Sequence, residues 1–293
     1  MTPRAATLDP LEVRRLLRRE GLRASHARSQ NFLADPDVLQ AILDLAEAGP
    51  DTRVLEIGPG LGILTGGLLD GGAAVTAIEL DAGLAAYLRT RFHSPIEAGA
   101  LRLIEGDALD LDLTNVVPAP YRVVANLPYH ITSPALHRLL GGEPAPERLV
   151  LMLQAEVAER IAAKPGRMSY LSVFVQYHAA VRVALAVPRE AFEPAPKVAS
   201  AVVVLTPHAA TALPAEREPA LWGLLHAGFR ERRKMLRNVL ARQLHAGADG
   251  ASGPLVGQAR VDAALAAVGI EGDRRPQTLG VDDWLRLLEA FAP

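Results

Sequence analysis

The amino-acid sequence predicts a doubly wound α/β domain with a mostly parallel sheet, followed by a small all-helical domain. Short apolar runs alternate with helical stretches between residues 53 and 162, which is typical of parallel strands joined by right-handed crossovers. Glycine-rich turns separate these segments. Beyond a stretch rich in proline, alanine and threonine at residues 206–219, which is typical of a linker, only helical patterns follow.

The first two helices come before the alternating region. Residues 11–19 predict a short basic helix. Asp35 followed by Pro36 is typical of a helix start, because the aspartate side chain accepts from the first free amides and proline fits the first turn. We expect this second helix to end at about Ala48. The pattern that follows predicts five strands, at residues 53–57, 74–79, 101–104, 121–125 and 148–153, and four helices, at residues 64–69, 82–92, 134–140 and 156–162.

The C-terminal part of the chain completes the predicted organisation. Residues 180–187 and 199–205 are β-rich, and we expect them to pair at the edge of the sheet. Helices are predicted at residues 221–229, 234–244, 261–268 and 282–291, with a flexible loop at residues 247–253. The predicted domains are a basic N-terminal segment at 1–30, a catalytic domain at 31–207 and a helical domain at 215–293.

Composition excludes several classes of protein. The 293 residues include no cysteine, which excludes disulfides, thiolate metal sites and a cysteine nucleophile. His130 and His137 have no third ligand at a suitable spacing, so no metal site is expected. Neither a signal-peptide pattern nor an apolar run of ~18 residues is evident. The sequence therefore predicts a soluble, cytoplasmic protein with no membrane partner.

Charge is segregated along the chain. Residues 31–125 carry 14 acids and 5 bases, whereas residues 1–30 carry 7 arginines and 3 acids. Residues 222–242 carry 6 bases and 1 acid. This distribution predicts an acidic catalytic body with basic flanks that could hold a polyanion such as nucleic acid. Ordinary solvated helix faces are the alternative.

A glycine-rich turn after the first predicted strand indicates a cofactor site. Gly58 and Gly60 would let a ligand approach the backbone at a helix N-terminus. Glu79, 21 residues after Gly58, ends the second strand, where an acid can accept from ribose hydroxyls and repel a 2′-phosphate. Asp107 ends the third strand and could accept from the adenine amine. A plain turn and a capping aspartate are the alternatives, and the adenosine signals fit NAD as well as S-adenosylmethionine.

The segment directly after the fourth strand favours one of these two cofactors. The side-chain oxygen of Asn126 and the backbone oxygen of Leu127 could each accept one hydrogen of an adenine amine, which would aim the nitrogen lone pair at a methyl donor. Pro128 has no N–H and fixes the turn. Tyr129 offers a flat face for an extruded base. The pattern favours methyl transfer from S-adenosylmethionine, driven by positioning; a strand-terminating turn is the alternative.

Residues 227–238 form the densest basic stretch. Spacings of three and four residues predict that its bases share a helix face that contacts phosphates. A solvated surface helix is the alternative. The bases in question are Arg230, Arg233, Lys234 and Arg237.

Five motifs resemble the ribosomal RNA adenine dimethylase family in order and spacing, from about Ser25 to the last helix. They are Gln30-Asn31-Phe32-Leu33, Glu56 to Thr65, Gly106 to Leu109, Asn126 to Tyr129, and Phe192 to Ser200. The resemblance is closest to the branch that dimethylates two adjacent adenosines near the 3′ end of small-subunit rRNA. It implies a Rossmann-like methyltransferase fold, S-adenosylmethionine as cofactor, and a monomer that acts on small-subunit rRNA or a pre-30S particle.

The resemblance also implies individual roles. Phe192 would be a second aromatic opposite Tyr129 in the target pocket, although a core position is the alternative. Residues 164–171 form a shorter loop than the family pattern, which puts substrate contacts there in doubt. The implied cofactor contacts are Asn31, Leu33, Gly58, Gly60, Glu79, Asp107 and Asn126, and the expected RNA contacts are Lys197, Arg230, Arg232, Arg233, Lys234 and Arg237.

Three other interpretations stay open at this point. A large-subunit rRNA adenine methylase that confers antibiotic resistance would share every cofactor motif, but Leu127 and the long helical C-terminus favour the small-subunit branch. A non-catalytic ribosome-assembly factor would bind RNA only. An NAD-linked oxidoreductase lacks an evident acid or base near the fourth strand. The target nucleotides, the number of methyl groups and the oligomeric state are not given by the sequence.

Overall fold

The computed structural model describes residues 9–22, 30–247, 249 and 252–291, so the predicted segments 1–30 and 247–253 are only partly described. The chain divides into two compact units, Met1–Ala158 with Ala179–Pro207, and Glu159–His178 with His208–Pro293. Residues 159–178 therefore group with the helical unit rather than with the catalytic domain as predicted. The physical reason is packing, because Met168, Val173 and Tyr177 are buried in the core of the second unit.

The strands of the described chain all belong to the first unit. They are β1 (Phe32–Leu33), β2 (Arg53–Ile57), β3 (Ala74–Glu79), β4 (Leu101–Glu105), β5 (Arg122–Asn126), β6 (Arg148–Gln154), β7 (Ala179–Val187), β8 (Phe192–Glu193) and β9 (Ser200–Pro207). The larger sheet has the order β4-β3-β2-β5-β6-β9-β7. Strands β2 to β6 run parallel, whereas β9 is antiparallel to β6 and to β7. The predicted mostly parallel sheet is confirmed, and so is the expected pairing at its edge, which is antiparallel.

The central strands explain why a parallel sheet forms. Val54, Leu55, Val123 and Val124 are fully buried in neighbouring strands. Near-continuous apolar runs of this kind are typical of parallel strands with both faces covered by helices. Glu56 interrupts the run in β2 and is only 1% exposed.

Helices connect these strands. They are α1 (Pro10–Arg19), α2 (Pro36–Ala46), α3 (Ile63–Asp70), α4 (Ala82–Arg91), α5 (His93–Glu97), α6 (Leu113–Val116), α7 (Thr132–Gly141) and α8 (Ala155–Ile161), whose end passes into the second unit. The predicted cap of α2 is confirmed, since the side chain of Asp35 accepts from the amides of Asp37 and Val38. This helix ends at Ala46, where Glu47 takes a left-handed conformation.

A small antiparallel sheet that the sequence did not predict joins β1 to β8. Leu33 pairs with Phe192 and Phe32 with Glu193. Arg14 of α1 forms an ion pair with Glu193 at 2.6 Å. These contacts attach the segment before α2 to a segment about 160 residues later, and so fix the chain around Asn31.

The described helices of the second unit are α9 (Tyr170–His178), α10 (Glu218–Phe229), α11 (Leu236–Gln243), α12 (Gln258–Ala267) and α13 (Val281–Phe291). Trp284 is fully buried at the centre of their core, with Leu225 and Leu240. The predicted C-terminal helices are confirmed. Among the residues that the structure describes, no helix has both the length and the apolar character needed to cross a bilayer.

The basic stretch between α10 and α11 is a turn. Helix α10 ends at Phe229 and α11 begins at Leu236. The expectation that its bases share one helix face is therefore wrong for Arg230, Arg233, Lys234 and Arg237.

Hydrogen bonds to a second loop explain this difference. The amide of Leu236 donates to the carbonyl of Arg274 at 2.7 Å, and the amide of Arg237 donates to the carbonyl of Gly272 at 3.2 Å. An uninterrupted helix would direct both amides to carbonyls four residues earlier. Hydrogen bonds to a distant loop replace these two helical hydrogen bonds, and residue spacing in the sequence does not reveal them.

Candidate functional site

A cleft in the first unit lies at the carboxyl ends of β2, β3, β4 and β5. It encloses about 1180 Å³ of empty space, part of which is open to solvent. This is the edge at which open α/β sheets bind ligands. Every cofactor contact that the resemblance implied lines the cleft, namely Asn31, Leu33, Gly58, Gly60, Glu79, Asp107 and Asn126.

The glycine-rich turn forms one wall of the cleft. Gly58 and Gly60 have φ angles of +70° and +58°, a region that side chains with a Cβ rarely adopt. A Cβ on Gly60 would also lie 3.1 Å from the ring of Phe32 in β1. Glycine is therefore needed at Gly60 both for its backbone conformation and for the close approach of the N-terminal segment.

Glu79 is held by backbone amides at the end of β3. Its two carboxylate oxygens accept from the amide of Gly60 at 3.0 Å and from the amide of Asp81 at 2.8 Å. Burial raises the pKa of Glu79, and these two hydrogen bonds oppose the rise. Each oxygen retains capacity for a second hydrogen bond. The carboxylate is thus a fixed acceptor in the wall of the cleft.

Glu56 is a second buried acid in the same cleft, and the sequence predicted no role for it. It accepts a hydrogen bond from the hydroxyl of Thr65 at 2.7 Å. Burial raises the pKa of Glu56 to about 8; the hydrogen bond from Thr65 opposes this rise, and the charge of neighbouring Glu79 contributes to it. An acid inside an otherwise apolar strand was the signal available in the sequence.

Asp107 both caps a turn and lines the cleft. One carboxylate oxygen, Oδ1, accepts from the amide of Leu109 at 2.8 Å. This is the capping role that was the alternative interpretation of the sequence. The same side chain lies among the cleft residues, so the turn places a carboxylate where an adenine amine could reach it.

The side chain of Asn126 has a defined orientation. Its Nδ2 donates to the backbone carbonyl of Asn31 at 3.2 Å. A carbonyl oxygen can only accept, so the amide nitrogen must face Asn31 and Oδ1 must face away. Next to it, the amide of Leu127 donates to the carbonyl of Met152 in β6 at 3.2 Å. These bonds fix the turn whose oxygens were predicted to hold the target amine.

Tyr129 follows in a one-turn 3₁₀ helix, Tyr129–Ile131. The carbonyl of Pro128 accepts from the amide of Ile131 at 3.1 Å. The Tyr129 hydroxyl lies 2.9 Å from Oγ of Ser200, and burial raises the pKa of this tyrosine. Tyr129 and Pro128 both line the cleft.

Phe192 and Lys197 lie in the segment that leads into β9. The ring of Phe192 is 2% exposed and packs in the core, where β8 pairs it with Leu33. It is not among the residues that line the cleft, so its expected role as a second aromatic stays a prediction. Lys197 is exposed, as an RNA contact requires.

The predicted RNA contacts of the second unit are exposed. Glu231, the acid that lies between these bases in the sequence, forms an ion pair with Arg242 at 3.2 Å. Within the described part of the chain, no group of three His, Asp or Glu side chains could hold a metal ion. The exposed bases are Arg230, Arg232, Arg233, Lys234 and Arg237.

Comparison with known proteins bears on this site. Residues 22–262 match the family model described as ribosomal RNA adenine dimethylase. The chain belongs to this family. The match covers the glycine-rich turn, both buried acids and the turn at Asn126. As a member of the family the protein is an enzyme that transfers methyl groups, which confirms the predicted enzyme class and the Rossmann-like fold.

Individual relatives agree with this assignment. A protein of Thermosynechococcus vestitus named ribosomal RNA small subunit methyltransferase A is 43% identical, over 92% of this chain and 97% of its own length. The crystal structure of a dimethyladenosine transferase from Plasmodium falciparum has a TM-score of 0.73 and 29% identity, over 89% of this chain and 97% of that one. The structure of the 23S rRNA methyltransferase ErmE has a TM-score of 0.69 and 30% identity, over 89% of this chain and 99% of that one.

Proposed function

We propose that this protein transfers methyl groups from S-adenosylmethionine to N6 of two adjacent adenosines in the 3′-terminal hairpin loop of small-subunit rRNA. The observation that carries the proposal is the orientation of Asn126. Because its Nδ2 donates to the carbonyl of Asn31, Oδ1 is the atom left to accept from a target amine. The relatives named for the small subunit support this choice of RNA.

The cleft residues fit S-adenosylmethionine. Glu79 can accept from ribose hydroxyls, and Asp107 can accept from the adenine amine. Apolar side chains of the cleft, such as Ile78 and Leu84, suit a purine ring. When bound, the cofactor supplies an electrophilic methyl group on a sulfonium sulfur.

The protein's contribution to the reaction is orientation of the base. Oδ1 of Asn126 and the carbonyl of Leu127 accept the two amine hydrogens, so the nitrogen lone pair is no longer fully delocalised into the ring. Tyr129 presents a face for the extruded base, and such stacking is worth about 1–3 kcal/mol. Positioning of this kind accounts for much of the rate of a displacement between bound partners.

We propose that residues other than those of the cleft bind the RNA backbone. Exposed bases of the turn after α10 contact phosphates, together with Lys197. Such contacts depend on charge and not on sequence, so binding weakens as salt rises. We propose that the enzyme acts as a monomer in the cytoplasm, on small-subunit rRNA or a pre-30S particle, during small-subunit biogenesis.

Mass spectrometry of modified rRNA tests the proposal. The protein is incubated with S-adenosylmethionine and either unmethylated small-subunit particles, free 16S rRNA or 23S rRNA, and the digested nucleosides are quantified. We expect N6,N6-dimethyladenosine at two adjacent positions of 16S rRNA and none in 23S rRNA. Modification confined to 23S rRNA would indicate the antibiotic-resistance activity instead. RNA binding without any methylation would indicate an assembly factor.

A further inference from the structure

A buried serine holds the aromatic ring of the target site. Ser200 is 1% exposed, and its Oγ lies 2.9 Å from the hydroxyl of Tyr129. The backbone of Ser200 is in register with Gln154 of β6 on one side and with Val187 of β7 on the other. Because strands on both sides hold it, the serine hydroxyl is a fixed point in the sheet.

Tyr129 lacks such support from its own backbone. It begins a helix of a single turn, and its side chain is only partly buried. A tyrosine side chain in that position can change its rotamer about the Cα–Cβ bond unless something holds its far end. The hydrogen bond to Ser200 holds the hydroxyl, and so fixes the side-chain rotamer and the position of the ring at the cleft.

We propose that Ser200 is a positioning residue, which fixes the Tyr129 ring for the target base and is needed more for the second methyl transfer than for the first. The inference rests on the proposed function. It has two premises. The first is the hydrogen bond between Ser200 and Tyr129, and the second is that the base loses one N–H donor when it becomes monomethylated.

The chemistry of the two transfers explains why they should differ. In each transfer the N6 nitrogen forms a bond to the methyl carbon, the carbon–sulfur bond breaks with its electron pair on sulfur, and one N6 proton passes to water. Adenosine offers two N–H groups to Asn126 and Leu127, but monomethyladenosine offers only one. Orientation of the monomethylated base therefore depends more on stacking against Tyr129.

The experiment follows each transfer separately. Single-turnover methylation of small-subunit RNA is measured for Ser200→Ala, with monomethyl and dimethyl nucleosides quantified over time. We expect the first transfer to change by less than about 2-fold and the second to slow by about 10-fold, the effect of one lost hydrogen bond. Monomethyladenosine should accumulate, and Ser200→Thr, which keeps a hydroxyl, should restore the dimethylated product.

Two further variants separate positioning from stability. Tyr129→Phe removes the other partner and should also accumulate monomethyladenosine, and the double variant should be little worse than either single one because the two changes remove the same bond. Ser172→Ala is the matched control. Its hydroxyl is equally buried and donates to the carbonyl of Arg160 at 2.6 Å in the second unit, so it should lose stability without a change in the product ratio.

The outcomes distinguish this inference from the proposed function. If the wild-type protein methylates no rRNA, the proposed function fails. If the wild-type protein dimethylates rRNA but Ser200→Ala and Tyr129→Phe give the same ratio of products, the role of Ser200 is overturned. The role of Ser200 would also be overturned if Ser200→Ala slowed both transfers equally and lowered the melting temperature as much as Ser172→Ala does. The effect would then be a loss of stability.

Discussion

The amide nitrogen of Asn126 donates to the backbone carbonyl of Asn31, at 3.2 Å and across 95 positions of the sequence. Asn31 is one of the implied cofactor contacts, and Asn126 belongs to the turn expected to hold the target amine. One hydrogen bond therefore joins the cofactor side of the cleft to the substrate side. Displacement of Asn31 would let the Asn126 amide rotate and present a donor where an acceptor is needed.

Replacement of Asn126 tests the acceptor role directly. We expect Asn126→Ala to bind RNA as the wild type does, and to transfer methyl groups at least about 100-fold more slowly, since loss of a transition-state acceptor costs about 3 kcal/mol. RNA affinity and single-turnover rates are the measurements. Asn115→Ala is the control, because Asn115 is an exposed asparagine bonded to Asp112. Turnover that is unchanged in Asn126→Ala would contradict the assignment.

Replacement of Glu79 tests the cofactor site. A glutamine offers only one oxygen, so Glu79→Gln cannot accept from both Gly60 and Asp81 as the carboxylate does. We expect S-adenosylmethionine to bind about 10- to 100-fold more weakly, the range for lost hydrogen bonds to a charged group. Calorimetry gives the affinity. Glu105→Gln is matched, since Glu105 is the exposed β4 neighbour of Glu79, and equal affinities in both variants would argue against the ribose-binding role.

Glu56 makes stability depend on pH. Its pKa is about 8 in the folded protein, whereas the ordinary value for a glutamate is 4.5, so between these limits the folded state binds a proton that the unfolded state has lost. The contribution of Glu56 to stability therefore falls as pH rises from about 4.5 to 8 and is constant above that.

Glu56→Gln removes this titration but keeps an oxygen for the Thr65 hydroxyl. We expect the variant to gain stability relative to the wild type as pH rises from about 5.5 to about 8.5, by on the order of a few kcal/mol. Urea unfolding of the cofactor-free protein at several pH values is the measurement. If the unfolding free energies of the two proteins, plotted against pH, stay parallel over this range, Glu56 does not titrate there.

The basic turn predicts a salt-dependent interaction with RNA. We expect a variant with alanine at Arg232, Arg233 and Lys234 to bind rRNA more weakly and to reduce the slope of log affinity against log salt by about 0.7–0.9 for each phosphate that it no longer binds. Cofactor affinity should not change. Arg286→Ala is the control, because Arg286 is an exposed base of the same unit that is already paired with Asp283. If the control lowers the slope as much as the triple variant does, net charge alone is responsible.

Local signals were enough to predict much of the site. Gly58, Glu79, Asp107 and Asn126 each stand at the carboxyl end of a predicted strand, and the ends of parallel strands meet at one edge whatever the details of packing. The cap at Asp35 was equally local, because it depends on amides two and three residues away.

Features that depend on distant partners were not predicted. The bases between residues 230 and 237 have helical spacing, but a turn separates α10 from α11, and the first amides of α11 bond to residues 272–274. The pairing of Leu33 with Phe192, which joins segments about 160 residues apart, was not predicted either.

The sequence by itself determined the parallel sheet, the carboxyl edge and the residues that meet there, because strand periodicity and capping act over a few residues. Only the tertiary structure decided which atom of Asn126 faces Asn31, that Ser200 holds Tyr129, and that Glu56 is buried enough to keep its proton near neutral pH. Hydrogen-bond direction and desolvation depend on groups that are distant in sequence and adjacent only after folding.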